Sequence, residues 1–135
     1  MVDNAREALM EVGVTPGEFA SRRLTADMIE NADLVLTATR VHRADVLREV
    51  PTAMRKTFTL REFARLVQQC DLDTTPARAV NDLVTRAAAV RGQFRVAAGD
   101  YDIDDPIGRD LHAYRACRDH IIESVDAIAP VFARV

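Results

Sequence analysis

The sequence predicts an α/β fold, a small parallel sheet flanked by helices, and three observations carry that prediction. The run Ala32-Asp33-Leu34-Val35-Leu36-Thr37-Ala38-Thr39 places branched or long apolar residues between small ones, which suits a strand covered on both faces. Lys56-Thr57-Phe58-Thr59-Leu60 is rich in β-prone residues and reads as a second, shorter strand. Nearly everything else carries helical spacing. Two strands against about six helices is an unusual ratio, because the buried strand is left with one edge lacking a backbone partner.

The elements follow in order. Asn4-Ala5-Arg6-Glu7 has capping-box spacing, with Ala8, Leu9 and Val12 on one face before Gly13 stops the turn. Val14 to Ala20 is a loop, and Thr25 caps a short helix through Asn31. After the first strand, Val41, Val46, Leu47 and Val50 suit a helix that Pro51 ends. Thr59-Leu60-Arg61-Glu62 is another capping box, opening a helix with Phe63, Leu66 and Val67 inward and a finish near Cys70. Thr75-Pro76 sets a capping hydroxyl before an N1 proline, and Val80, Leu83, Val84, Ala87 and Val90 continue at helical spacing to Gly92. Gln93 to Arg109 is a long connection, acidic in its middle. Leu111, Tyr114, Ile121, Ile122, Val125 and Ile128 mark the last helix, which Pro130 is expected to end.

Composition bounds the function. The 135 residues are one domain's worth (1–135), 48% hydrophobic and 29% charged, so the chain reads as globular. A net charge of -3 gives no electrostatic reason to expect nucleic acid or an anionic membrane as partner. Two cysteines cannot form a secreted disulfide framework, and Asp3, Arg6 and Glu7 interrupt any leader-like apolar run; a cytoplasmic location is expected.

Four groups of residues bear on chemistry. Asp104-Asp105-Pro106-Ile107-Gly108 can present a proton donor at the mouth of a pocket, while Asp-Pro and Pro-x-Gly are also ordinary turn chemistry. Asp100-x-Asp102-x-Asp104 resembles the start of a calcium loop, but its sixth position is Asp105 rather than Gly and its twelfth Leu111 rather than Glu. Cys117-x-x-His120 is half of a zinc pattern without a second half, so no metal is expected. Neither Cys70 nor Cys117 has an arginine at the spacing a phosphate-cradling thiolate loop requires. Arg40, Arg43 and Arg48, with His42 among them, either face an anion at the strand's carboxyl end or make surface ion pairs.

Taken together, Ser21-Arg22-Arg23-Leu24-Thr25, Ala32-Asp33-Leu34-Val35-Leu36 with His42-Arg43 behind it, Thr57-Phe58-Thr59-Leu60-Arg61-Glu62-Phe63 and Asp102-Ile103-Asp104-Asp105-Pro106 resemble the low molecular weight protein-tyrosine phosphatases in their actinobacterial form. The correspondence runs in order from Ala5 to about Ile128. It implies a four-stranded parallel sheet, of which the first two strands are missing here, and hydrolysis of phosphotyrosine or another aryl phosphate monoester without a cofactor. In the family a Cys-x5-Arg-Ser/Thr loop takes the phosphoryl group and an Asp-Pro aspartate protonates the leaving group. Only that aspartate carries over, onto Asp105, with Asp104 the neighbouring second choice. The sequence contains no Cys-x5-Arg nucleophile loop, and Ile107 and Gly108 stand where many members have an aromatic residue. Through a late start, truncation or genuine loss, the chain as given is expected to be inactive. The alternatives are a non-catalytic interaction module or pseudophosphatase pairing through the Leu34 to Thr39 strand edge, with a second copy or another protein, and an arsenate reductase relative, which would need the same cysteine loop plus resolving thiols.

Overall fold

Two three-residue strands occupy the centre of the computed structural model, which describes residues 1–72, 75–93 and 101–135. β1 (Val35–Thr37) and β2 (Thr57–Thr59) run parallel, with Val35 opposite Thr57, Leu36 opposite Phe58 and Thr37 opposite Thr59. Parallel strands need a crossover. Here it is α3 (Arg40–Glu49) followed by a 3₁₀ turn over Pro51–Lys56, so Pro51 ends one helix by starting a tighter one. The Thr39 hydroxyl accepts from the His42 N–H (3.2 Å) and starts α3 immediately beyond β1. The same device starts α2 (Ala26–Asn31), where Thr25 accepts from Met28 N–H (3.3 Å).

Each face of the sheet has its own apolar layer. Ile29 of α2, Val46 and Val50 of the α3 segment and Ala53 form the smaller one, with Val35 packed against it. On the other face Phe58 meets Phe63, Leu66 and Val67 of α4 (Leu60–Gln69), Leu83 and Ala87 of α5 (Val80–Val90) and Ile128 of α6 (Leu111–Ala133), with Leu34 packed against that cluster. Leu34 and Val35 thus point to opposite layers, as strand period two requires. The fold is a small α/β arrangement of two parallel strands flanked by helices, consistent with part of a phosphatase fold.

Several expectations are corrected. β1 is not covered on both faces: Leu36 is 38% exposed, whereas all three β2 residues are buried. β2, flanked by both layers, is the better buried strand. α1 (Asp3–Met10) has no side-chain cap; Asn4 lies in its first turn and its amide reaches the Arg109 carbonyl instead (3.5 Å). Val41 is exposed on α3. Thr75-Pro76 does not start α5, because the Arg86 guanidinium draws both of their carbonyls aside; the helix begins at Val80, with the Asp82 carboxylate accepting from Arg78 N–H (3.1 Å). Pro130 lies inside α6 rather than ending it. A proline there removes one donor, and the packing of Ile128, Val131 and Phe132 on the main core keeps the final turn.

α1 is tied to α6 by charge. The Glu11 carboxylate, just past α1, accepts from Arg115 (2.5 Å) and Arg118 (2.8 Å), and Arg118 also donates to the Ala8 carbonyl (2.9 Å). The Arg115 hydrogen bond, above the other effects, lowers the Glu11 carboxyl to about 2 from 4.5. A depressed carboxyl stabilises the fold above its unfolded value, and that contribution is lost as pH falls from about 4.5 towards 2. Glu11→Gln is therefore expected to flatten the acid limb of a stability-against-pH curve in that window. Parallel acid limbs for the two proteins would show that α1 is not held this way.

Candidate active site

The carboxyl end of a parallel strand is where open α/β folds place ligands, and the acidic loop is fastened there. The Ile103 N–H donates to the Ala38 carbonyl just beyond β1 (2.8 Å), and Ile103 itself is buried. The Asp102 carboxylate accepts from the Arg40 N–H at the start of α3 (2.8 Å), and its carbonyl accepts from Arg61 of α4 (3.2 Å). Three contacts to three elements thus precede Asp104 and Asp105, both of which stay exposed.

Beyond them the backbone is set by turn chemistry. The Asp105 carboxylate accepts from the Ile107 N–H (2.9 Å), folding the chain around Pro106. Arg109 N–H donates to the Pro106 carbonyl (2.9 Å), and Gly108 takes φ +77°, the value a type II turn requires of its third residue. Asp110 then caps α6 by accepting from Ala113 N–H (3.0 Å). Turn and acid readings of this loop are therefore compatible: one Asp105 oxygen holds the turn, while the other has no partner among the described residues.

The basic cluster is resolved into ion pairs. Arg40 faces Asp102 (3.5 Å), Arg43 faces Glu62 (3.2 Å) and Arg48 faces Asp45 (3.0 Å). Of the two readings open from sequence, ion pairing is the one observed, and an anion at the start of α3 would have to displace Asp102. His42 lies on the wall of a cleft of about 580 Å³ beside β1. A second cleft, of about 690 Å³, opens at the strands' opposite, amino ends beside Asp33 and Lys56. There the Lys56 ammonium is already held by the carbonyls of Glu30 (3.0 Å) and Ala32 (2.8 Å).

Sequence reading missed the group beneath the site. The Thr59 hydroxyl caps α4 by accepting from Glu62 N–H (3.1 Å), as the capping box implies. The Glu62 side chain does not complete the box, because it is turned to Arg43 and to Arg91 (3.1 Å). Arg91 also donates to the carbonyls of Met54 (3.0 Å) and Thr57 and lies 4.0 Å over the Phe58 ring. Burial lowers its pKa, and Glu62 opposes that shift. The one available signal was a charged residue, Glu62, on the inward side of a strongly two-sided helix.

Neither thiol is activated. Burial raises the Cys70 pKa, and burial followed by the charges of Asp105 and Asp104 raises that of Cys117. Cys117 is therefore a neighbour of the acid loop, a relation that spacing alone did not reveal. Asp100, the first acid of the calcium-like pattern, lies outside the described residues. Among the described residues no three His, Cys, Asp or Glu side chains form a metal-binding group, and no helix is long and apolar enough to cross a membrane.

The parallel α/β core, with an Asp-Asp-Pro loop fastened at the carboxyl end of β1, is consistent with part of a phosphatase fold. Comparison gives a particular relative: the chain is similar to the protein-arginine-phosphatase of Geobacillus stearothermophilus, 27% identical over 126 residues that cover 93% of this chain. The distant likeness supports the phosphatase resemblance at the level of family. Those residues span 63% of the relative's length. No protein-family model and no solved structure matches the chain.

Proposed function

We propose that this chain carries the acid-loop part of a low molecular weight phosphatase, with Asp105 as the general acid and Asp104 as the second choice, acting in the cytoplasm. The observation that supports this most is the fastening of residues 102–103 to the carboxyl end of β1, which leaves the Asp105 carboxylate exposed beside that strand. In that role Asp105 gives its proton to the leaving group as the ester bond to phosphorus breaks, then takes one from the water that releases phosphate. The 135 residues contain no Cys-x5-Arg loop, and both thiols they do contain are held protonated by burial, so the chain as given is expected to lack turnover.

The test has two arms. The chain alone should not hydrolyse an aryl phosphate. Joined to a strand and Cys-x5-Arg loop from a working phosphatase, it should turn over, and Asp105→Asn should then reduce kcat by about 10²- to 10⁴-fold. An equal loss from Asp104→Asn, with Asp105→Asn silent, would move the role to Asp104. Turnover by the chain alone would refute the reading.

Phosphotyrosine is the substrate that the family resemblance favours. The relative's name favours a second reading, phosphoarginine, whose leaving group also needs a proton when the bond to phosphorus breaks. Comparing the two phosphopeptides on the completed protein decides between them.

A further inference from the structure

We infer that Asp102 is the positioning residue of the acid loop: its carboxylate, bound to the first N–H of α3, sets where Asp105 stands beside β1. The inference rests on the reading of Asp105, or Asp104, as the general acid, and adds to it a residue that does not touch substrate. A helix start leaves its first N–H groups without partners in the helix. In α3 two of them are met from different parts of the chain. The Thr39 hydroxyl accepts from His42 N–H (3.2 Å), as a local cap does, whereas Arg40 N–H donates to the Asp102 carboxylate (2.8 Å) across 62 positions. Charge favours the second contact. The carboxylate lies at the positive end of the helix, the Arg40 guanidinium is 3.5 Å away, and the Asp102 side chain is only 22% exposed.

The next residue closes the grip. Ile103 N–H donates to the Ala38 carbonyl (2.8 Å), so residues 102 and 103 bond one donor and one acceptor of the β1–α3 turn, on either side of Thr39. Arg61 of α4 holds the Asp102 carbonyl from a third direction (3.2 Å). Two residues of chain span at most about 7 Å, so Asp105 stays close to Ile103 while that grip lasts. Beyond Asp105 the chain is exposed from Ile107 to Asp110, held by its own turn and by the Asp110 cap of α6. The upstream grip therefore decides which way the acid faces. A shift of about 1 Å at a reacting group is enough to cost on the order of 10²-fold in rate. Removing Ile103 would also empty buried space, whereas the Asp102 carboxylate can be removed from a half-exposed helix start.

Amide hydrogen exchange on the 135-residue chain tests the grip without any activity. In Asp102→Ala the amides of Arg40 and Ile103 should exchange about tenfold or more faster, the size expected of one charge-assisted hydrogen bond, while those of α4 and α6 keep their rates. Asp102→Asn retains an acceptor and should stay near wild type. On the chain joined to a Cys-x5-Arg loop, Asp102→Ala should lower kcat on an aryl phosphate by about tenfold or more with KM within about twofold, and Asp102→Asn should restore most of it. The loss should grow as the leaving group becomes more basic. It should vanish in the variant that already lacks the acid, Asp105→Asn or, if the role lies there, Asp104→Asn, because a positioning residue acts only through the group it positions. Unchanged exchange at Ile103 in Asp102→Ala, equal acceleration at every amide, or kcat losses that multiply in the double variant would each overturn the inference. If Asp104→Asn and Asp105→Asn are both silent, the acid assignment itself has failed, and the exchange rates of the chain alone do not depend on that outcome.

Discussion

Glu62→Ala is expected to lower the unfolding free energy by about 3 kcal/mol, near the lower end of what removing one member of a buried ion pair costs. Glu62 is buried and is shared by two guanidinium groups, those of Arg43 and Arg91. Removing it leaves two cations facing each other without their common anion, and it takes an acidic group from the first turn of α4, where the helix dipole favours one. Arg43 and Arg91 keep some contact with water, with side-chain exposures of 28% and 23%, which holds the loss to the low end. Arg91 has further need of its anion: its Nε is buried without a hydrogen-bond partner among the described residues, and the Phe58 face and the Met54 and Thr57 carbonyls compensate its charge only in part. Glu62→Gln keeps acceptors but loses the charge and should fall between wild type and alanine. Urea titrations of the three proteins measure this. A loss below about 1 kcal/mol for alanine would mean that the two arginines find water on their own and the group is a surface network.

Such a network explains what the sequence could and could not disclose. Caps were legible where a hydroxyl stands three residues before a free N–H and nothing competes, as at Thr25 and Thr59. Thr75 failed because a distant guanidinium, that of Arg86, claims its carbonyl, and such competition has no local signature. Pro130 failed because tertiary packing by Val131 and Phe132 overrides a helix stop. The apolar run at residues 34–36 identified the strand but not its burial: alternation sends Leu34 and Val35 into separate layers, and whether Leu36 is covered depends on what lies across an edge the run does not describe. The acid loop was legible as a turn from Pro106 and Gly108. Its placement was not, because it depends on Asp102 and Ile103 meeting residues 38 and 40 across more than sixty positions of chain.

Phe63→Ala should cost about 3 to 5 kcal/mol, the usual range for deleting a fully buried aromatic ring. Phe63 is fully buried in α4, with ring centroids 5.1 Å from Phe58 of β2 and 6.4 Å from Phe132 of α6. The ring therefore joins the sheet to the turn of α6 that follows Pro130. That turn has lost a backbone donor to proline, so its stability comes from side-chain packing rather than from the helix ladder. Emptying the site should act twice, leaving a cavity against Phe58 and releasing Phe132 so that α6 frays back towards Pro130. Phe63→Leu refills much of the volume and is expected to cost no more than about 1.5 kcal/mol if its neighbours adjust. Amide hydrogen exchange separates the two effects: residues 131–133 should lose protection in the alanine variant by more than the global change in stability accounts for. If those amides follow global unfolding alone, Phe63 supports the core as a whole and the last turn of α6 is held by Val131 and its neighbours without it.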